Sequence, residues 1–149
     1  MMVYHLGRSK YATQLTGEGA KLHGGRWNVI GQPCIYTSAA RSLCVLEYAA
    51  NVYLDEIAQD LSFTAYEIPD DGWASFQPKE LPAGWLEMSS SMIVKEWGTK
   101  QLQKYLALKL PSVILPSEFN FLLNPVHPDF KKVHIKEIET FTFDSRIKK

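Results

Sequence analysis

LTGEGAKLHGGRWNVIGQPCIYTSAARSLCVLEYAA, residues 15–50, decides how this chain folds. From Leu15 to Glu47 it passes from a glycine-rich polar loop, through a short apolar run, into an amphipathic segment. Gly17, Gly19, Gly24 and Gly25 precede Arg26, Tyr36 follows, and Glu47 comes eleven residues after the tyrosine. A guanidinium, an aromatic ring and a carboxylate thus fall on a turn, a strand and a helix. Glycines before the arginine allow positive φ and a close backbone approach by a ligand. That is one way for a small fold to gather a polar ligand site.

The chain has 149 residues, which fits a single domain, residues 1–149. Hydrophobic residues make up 46% and charged residues 21%, enough to bury an ordinary core. Sixteen basic residues balance sixteen acidic ones, which disfavours bulk binding to nucleic acid or an anionic membrane. The basic tail of Arg146, Lys148 and Lys149 is too short to change this. Cys34 and Cys44 form no CxxC pair, so a disulfide framework is not expected. The apolar run in MMVYHLGRSK is too short for a signal peptide, and no run is long enough to span a membrane. A soluble, cytoplasmic protein is expected.

Outward from the opening stretch, residues 3–6 read as a strand and 12–32 as a long loop with a turn of helix. Loops of that length inside a domain are functional or disordered. Residues 34–37 read as a buried strand, with Ser38 as cap of a helix from about 39 to 54. Residues 60–68 alternate as a strand, and 70–90 form an irregular connection. A second helix is expected over 91–106, its inner face Ile93, Val94, Trp97 and Leu102, weakened by Gly98. Residues 107–115 are apolar and broken by Pro111, and strands follow at 132–139 and around Phe141 and Phe143. The pattern is a mixed α+β domain, not a regular βαβ series.

Glu47 is unusual because it shares a helical face with Leu43, Ala50 and Leu54. Burying an unpaired carboxylate is costly, so it either reaches water, joins a structural ion pair, or serves a site. Arg26 offers a planar fork suited to phosphate or carboxylate, or it stacks on Trp27 in a surface turn that Asn28 closes. The glycine spacing fits neither a dinucleotide fingerprint nor a phosphate loop. His5, His23, His127 and His134 lack metal spacing, and no metal is expected. His127 and Asp129 read as loop braces. A Ser117, His127, Asp129 triad has no nucleophile elbow behind it. Residues 115–130, LPSEFNFLLNPVHPDF, are pinned by Pro116, Pro125 and Pro128 as a non-helical segment. Ser117, Asn120 and Asn124 offer hydrogen bonds there.

GEGAKLHGGRWNVIGQPCIYTS, Glu47, LPSEFNFLLNPVHPDF and the terminal TFTFDSRI together resemble the RES-domain toxins of bacterial toxin–antitoxin pairs. The resemblance covers nearly the whole chain. It implies an ADP-ribosyltransferase-like (diphtheria-toxin-like) α+β fold, a split and curved β structure with a few helices. It further implies a toxin that cleaves NAD+ at the nicotinamide–ribose bond, by hydrolysis, phosphorolysis or ADP-ribosyl transfer to a protein. NAD+ would be the substrate, and an Xre-type antitoxin the partner that occludes the site; a homodimer is left open. By motif match Arg26 is the arginine of GGRWN, Tyr36 the site tyrosine, Glu47 the glutamate and Ser117 the serine of the proline–serine motif. These four, with His5, Trp27, Asn28 and Asn124, make up the expected NAD+-binding set.

One match fails. Relatives carry an arginine in the first strand, in a V-Y-R motif, where this chain has Val3-Tyr4-His5. Imidazole lacks the permanent charge and the fork of guanidinium. The implied outcomes are a weakened or inactive protein, partial substitution by His5⁺, or entry of Arg8 into the site; a natural and an engineered histidine are equally compatible.

The expected chemistry needs one carboxylate. Glycosidases use two because one must protonate the leaving group. In NAD+ the leaving pyridinium is already cationic and departs as neutral nicotinamide. Glu47 would hold ribose hydroxyls and stabilise the oxocarbenium-like centre, with Tyr36 stacking on nicotinamide, Arg26 clamping the pyrophosphate and Ser117 fixing the ribose or amide. The competing class is a catalytically inactive module that binds NAD+ or another nucleotide, or only the antitoxin.

Overall fold

One seven-stranded mixed sheet organises the computed structural model, which describes residues 1–149. Its strands are β1 (Met2–Arg8), β2 (Ile35–Ser38), β3 (Leu61–Glu67), β4 (Trp73–Ser75), β5 (Ala107–Pro111), β6 (Phe119–Leu123) and β7 (His134–Phe141). The helices are α1 (Glu18–His23), α2 (Arg41–Asn51) and α3 (Met92–Leu102). The spatial order is β4-β5-β6-β2-β1-β3-β7, antiparallel throughout except for β4 beside β5. This is the expected α+β class.

The sheet opens between β1 and β2. There β1 pairs with β2 only at Tyr4↔Ser38, while on its other side it pairs with β3 from Met2↔Glu67 to Arg8↔Leu61. His5 fills the opening. Its Nδ1 lies 2.8 Å from the Tyr36 carbonyl oxygen, and because a carbonyl only accepts, Nδ1 carries the proton. A side chain thus replaces a ladder bond.

Register places Tyr4, Ser38, Asn120 and Leu110 in one row across the sheet. On this face α2 packs over β1 and β3 through Cys44 against Leu6, Leu61 and Phe63. α3 packs over β5 and β6, where Val94 and Leu102 meet Leu108, Leu110 and Leu122. Each of these fully buried leucines contributes about 1.5–3 kcal/mol by leaving water. The floor formed by β2 and β6 stays open between the two helices. The opposite face buries Val3, Ile35, Tyr66, Phe121 and Leu123.

Several local expectations change. Ser38 does not cap α2; it ends β2 and its hydroxyl donates to Asn120 Oδ1, while Ala40 stands at the N-cap. Ser91 does cap α3, accepting from the Val94 N–H. Ile93 is 70% exposed, and the inner face of α3 is Val94, Gly98, Thr99 and Leu102, with Trp97 packed partly buried against the same core as expected. Gly98 is a packing requirement, because an added Cβ would overlap the Trp27 carbonyl. β4 lies inside the connection read as irregular and β6 inside the proline-pinned segment. The two expected C-terminal strands are one, β7, which ends before Phe143.

Candidate active site

A cavity of about 980 Å³ lies over the floor of β1, β2 and β6, between α2 and the glycine loop with Leu86 and Met88. β1 and β2 supply Tyr4, His5 and Tyr36, α2 supplies Glu47, and the loop after α1 supplies Gly25 and Arg26. The stripe that made Glu47 unusual explains its placement. Leu43 is buried, but Ala50 and Glu47 line the cavity and Leu54 is exposed, so this face of α2 turns toward the cavity.

Glu47 is held by one oxygen. Oε1 accepts from the Ser112 hydroxyl at 2.7 Å and from Asn120 Nδ2 at 2.6 Å. Oε2 has no protein donor. Two donors on one oxygen fix its rotamer. Ser112 is fully buried just after β5, and its own oxygen accepts from the Ile114 and Leu115 N–H groups.

The serine beside Glu47 is therefore Ser112 and not Ser117. The chain carries two Leu-Pro-Ser triplets, ending at Ser112 and Ser117. Ser117 sits on the exposed turn between β5 and β6, outside the cavity and without a side-chain hydrogen bond. The strand–turn–strand hairpin carries the second triplet away from α2. One sequence signal pointed to Ser112: it directly follows the stretch from Leu106 to Pro111, apolar but for Lys109, where a polar residue must find a buried partner.

Tyr36 lines the cavity, and its hydroxyl is fully engaged. It donates to Asn28 Oδ1 at 2.6 Å and accepts from the Trp27 N–H at 3.0 Å. Burial holds the phenol well above its ordinary range, so it stays neutral. Gly24 adopts φ +70°, as expected of the turn. Gly25 leaves room for the tyrosine, since a Cβ there would sit 2.5 Å from the Tyr36 hydroxyl.

Asn28 itself is fully buried and does not line the cavity. Its amide donates to the carbonyls of Ala20 at 2.8 Å and Gln32 at 3.0 Å, tying the glycine loop together. Trp27 touches the cavity but is 4% exposed and packs on Trp97, so it is a core residue. Asn124 lies elsewhere: its amide donates to the Leu102 carbonyl at 2.6 Å, closing the end of α3. His127 braces its loop as expected, accepting from the Asp129 N–H.

Arg26 lines the cavity with its donors turned outward. Nη1 donates to the carbonyls of Glu87 at 2.8 Å and Trp85 at 3.4 Å, and Nη2 to that of Met88 at 2.8 Å. It clamps the loop that brings Leu86 and Met88 to the rim. Trp85 is buried in the core, whereas Leu86 is 54% exposed.

His5 is neutral, because burial outweighs its bond to Tyr36 and lowers its pKa below 6.5. His5 therefore brings no positive charge to the cavity. Nor does Arg8, which pairs with Asp60 at 2.9 Å away from the cavity. Arg41 stacks 4.4 Å over the Tyr4 ring but is paired with Glu137 and Glu139 of β7. No three His, Cys, Asp or Glu side chains converge on a common point.

The RES domain family model matches residues 2–144. The Prs ADP-ribosylating toxin of Sphingobium sp. (strain YBL2) is 33% identical over 145 residues, covering 94% of this chain and 90% of that protein. Toxin Res of Photorhabdus laumondii is 36% identical over 154 residues, covering 100% and 98%. A chain of the M. tuberculosis MbcT-MbcA toxin-antitoxin complex superposes with a TM-score of 0.72 at 15% identity, covering 95% of this chain and 84% of that one, a likeness of fold. With the family match spanning nearly all of its length, this chain belongs to the RES domain family.

Proposed function

We propose that this chain is the toxin of a toxin–antitoxin pair and an NAD+-consuming enzyme that breaks the nicotinamide–ribose bond. The observation that carries this reading is Glu47, fixed through Oε1 by Ser112 and Asn120 while Oε2 is left for a ligand in a cavity lined by Tyr36. A cavity of about 980 Å³ matches the upper end of small-molecule sites, roughly 300–1,000 Å³. The relative from Sphingobium is an ADP-ribosylating toxin, and ADP-ribosylation draws on NAD+.

In this mechanism the Glu47 carboxylate faces the nicotinamide ribose and stabilises the cationic centre as neutral nicotinamide leaves. Tyr36 supplies an aromatic wall for the nicotinamide ring. Arg26 acts mainly by shaping the rim, since its terminal nitrogens are spent on loop carbonyls. Water, phosphate or a protein side chain then takes the ADP-ribose. An Xre-type antitoxin covering the cavity would keep the toxin silent in the cytoplasm, where NAD+ is held.

Purified protein incubated with NAD+ should release nicotinamide, a readout common to all three acceptors. Glu47→Gln should slow release by about 10²–10³-fold, the size of losing one electrostatic stabiliser. Equal rates in the two proteins would refute the mechanism. The neutral His5 favours a second reading, an NAD+-binding module without turnover. His5→Arg separates the two: a gain in nicotinamide release marks a weakened enzyme, and unchanged binding with no release marks a module.

A further inference from the structure

We infer that Ser38 and Asn120 form a positioning arm for Glu47, which fixes the orientation of the carboxylate. The inference rests on the reading of Glu47 as the group facing substrate. Ser38 ends β2 and Asn120 stands opposite it on β6, paired Ser38↔Asn120 in the ladder. Their side chains lie on the cavity face, under α2. The Ser38 hydroxyl donates to Asn120 Oδ1 at 2.6 Å, and Asn120 Nδ2 donates to Glu47 Oε1 at 2.6 Å.

An asparagine amide reads equally well either way round unless its partners choose. Here both ends choose. A carboxylate can only accept, so the NH₂ end must face Glu47. The Ser38 hydroxyl, 4% exposed and beside the amide oxygen, can only help by donating. The arm therefore presents Glu47 with a donor that cannot turn into an acceptor. Ser112 holds the same oxygen from the other wall. With Oε1 occupied twice, the carboxylate cannot rotate away and Oε2 is the atom left for substrate. Ser38 and Asn120 touch Glu47 or its partner, not the reacting bond, so they are positioning residues. The other titratable groups facing this cavity are Tyr4 and His5 of β1, Tyr36 of β2, Cys44 and Tyr48 of α2, and Arg26.

Asn120→Asp tests the arm, because it keeps the shape and sets a second carboxylate against Glu47. Two interacting carboxylates cannot both ionise freely. The acid limb of the kcat–pH profile for nicotinamide release should move to higher pH by about one unit or more. At neutral pH kcat should fall about 10–100-fold with KM little changed, the size of losing a hydrogen bond to a charged group. Ser38→Ala should lower kcat about 3–10-fold, and Ser38→Thr, which keeps the hydroxyl, should restore it. A second readout does not depend on turnover. The ¹³C carboxyl resonance of Glu47, assigned by its loss in Glu47→Gln, should titrate at higher pH in Asn120→Asp than in the unsubstituted protein. A moved resonance in a protein that never releases nicotinamide would leave the arm standing and sink the NAD+ reading. An unmoved resonance and pH profile in a folded Asn120→Asp, or a loss confined to KM, would overturn the arm.

Discussion

Asn28→Ala should unfold this domain far more readily than its small size suggests. The side chain is fully buried within GGRWN and bonds in three directions. Truncation strips the Gln32 carbonyl of its donor and the Tyr36 hydroxyl of its acceptor, and leaves the Ala20 carbonyl with the Gly24 N–H alone. Each lost bond is worth about 0.5–1.5 kcal/mol, and a buried group left unpaired costs about 1–3 kcal/mol. Allowing for relaxation and non-additivity, a loss of about 3–5 kcal/mol is expected, against a total stability of about 5–15 kcal/mol. At this chain length that lowers Tm by about 6–20 °C. Urea unfolding in a Glu47→Gln background measures it without the toxin's activity, and the m value should not change. A cycle with Tyr36→Phe should show about 1–2 kcal/mol of coupling, because the two side chains share the 2.6 Å bond. A cost below about 1 kcal/mol, the level of a surface change, would refute the hub assignment. So would normal stability combined with lost NAD+ binding, which would make Asn28 a ligand contact.

Arg26→Met should free the loop that carries Trp85 and Met88 by removing its three carbonyl contacts. Amide exchange over residues 85–90 should accelerate while β3 and β5 keep their protection; unchanged exchange in that loop would refute the clamp. His5 makes stability depend on pH. Its folded pKa lies below 6.5, so the unfolded chain takes up a proton first as pH falls. The His5 contribution should be complete above pH 6.5 and decline below it until the folded imidazole also protonates. His5→Asn, which keeps a donor for the Tyr36 carbonyl, should remove that slope from the unfolding free energy between about pH 6.5 and 5.

Legibility followed the range of the interactions. The α+β class, β1, β3, α1 within the glycine loop, and the order of Arg26, Tyr36 and Glu47 could all be read along the chain. Each depends on neighbours a few residues apart: alternation, a helical face, a turn glycine. β6 was hidden inside LPSEFNFLLNPVHPDF because its prolines flank the strand and do not enter it. β4 was hidden because three residues carry no periodicity and its only strand partner, β5, lies more than thirty residues away. The exposure of Ile93 escaped notice because a periodic face does not say how much of it the sheet covers.

The sequence by itself determined which groups are available: one glutamate on a helix face, one arginine and one tyrosine on the elements before it, and a histidine in the first strand. Tertiary structure decided what those groups do. Arg26 turned its donors to the loop around Met88, Asn28 went into the core, and Glu47 took Ser112 and Asn120 as partners across 65 and 73 residues of chain. The physical reason is that hydrogen bonds of this kind are set by strand register and by which buried donors lack partners. Two Leu-Pro-Ser triplets are the same to a reader of the sequence, but only one ends beneath α2.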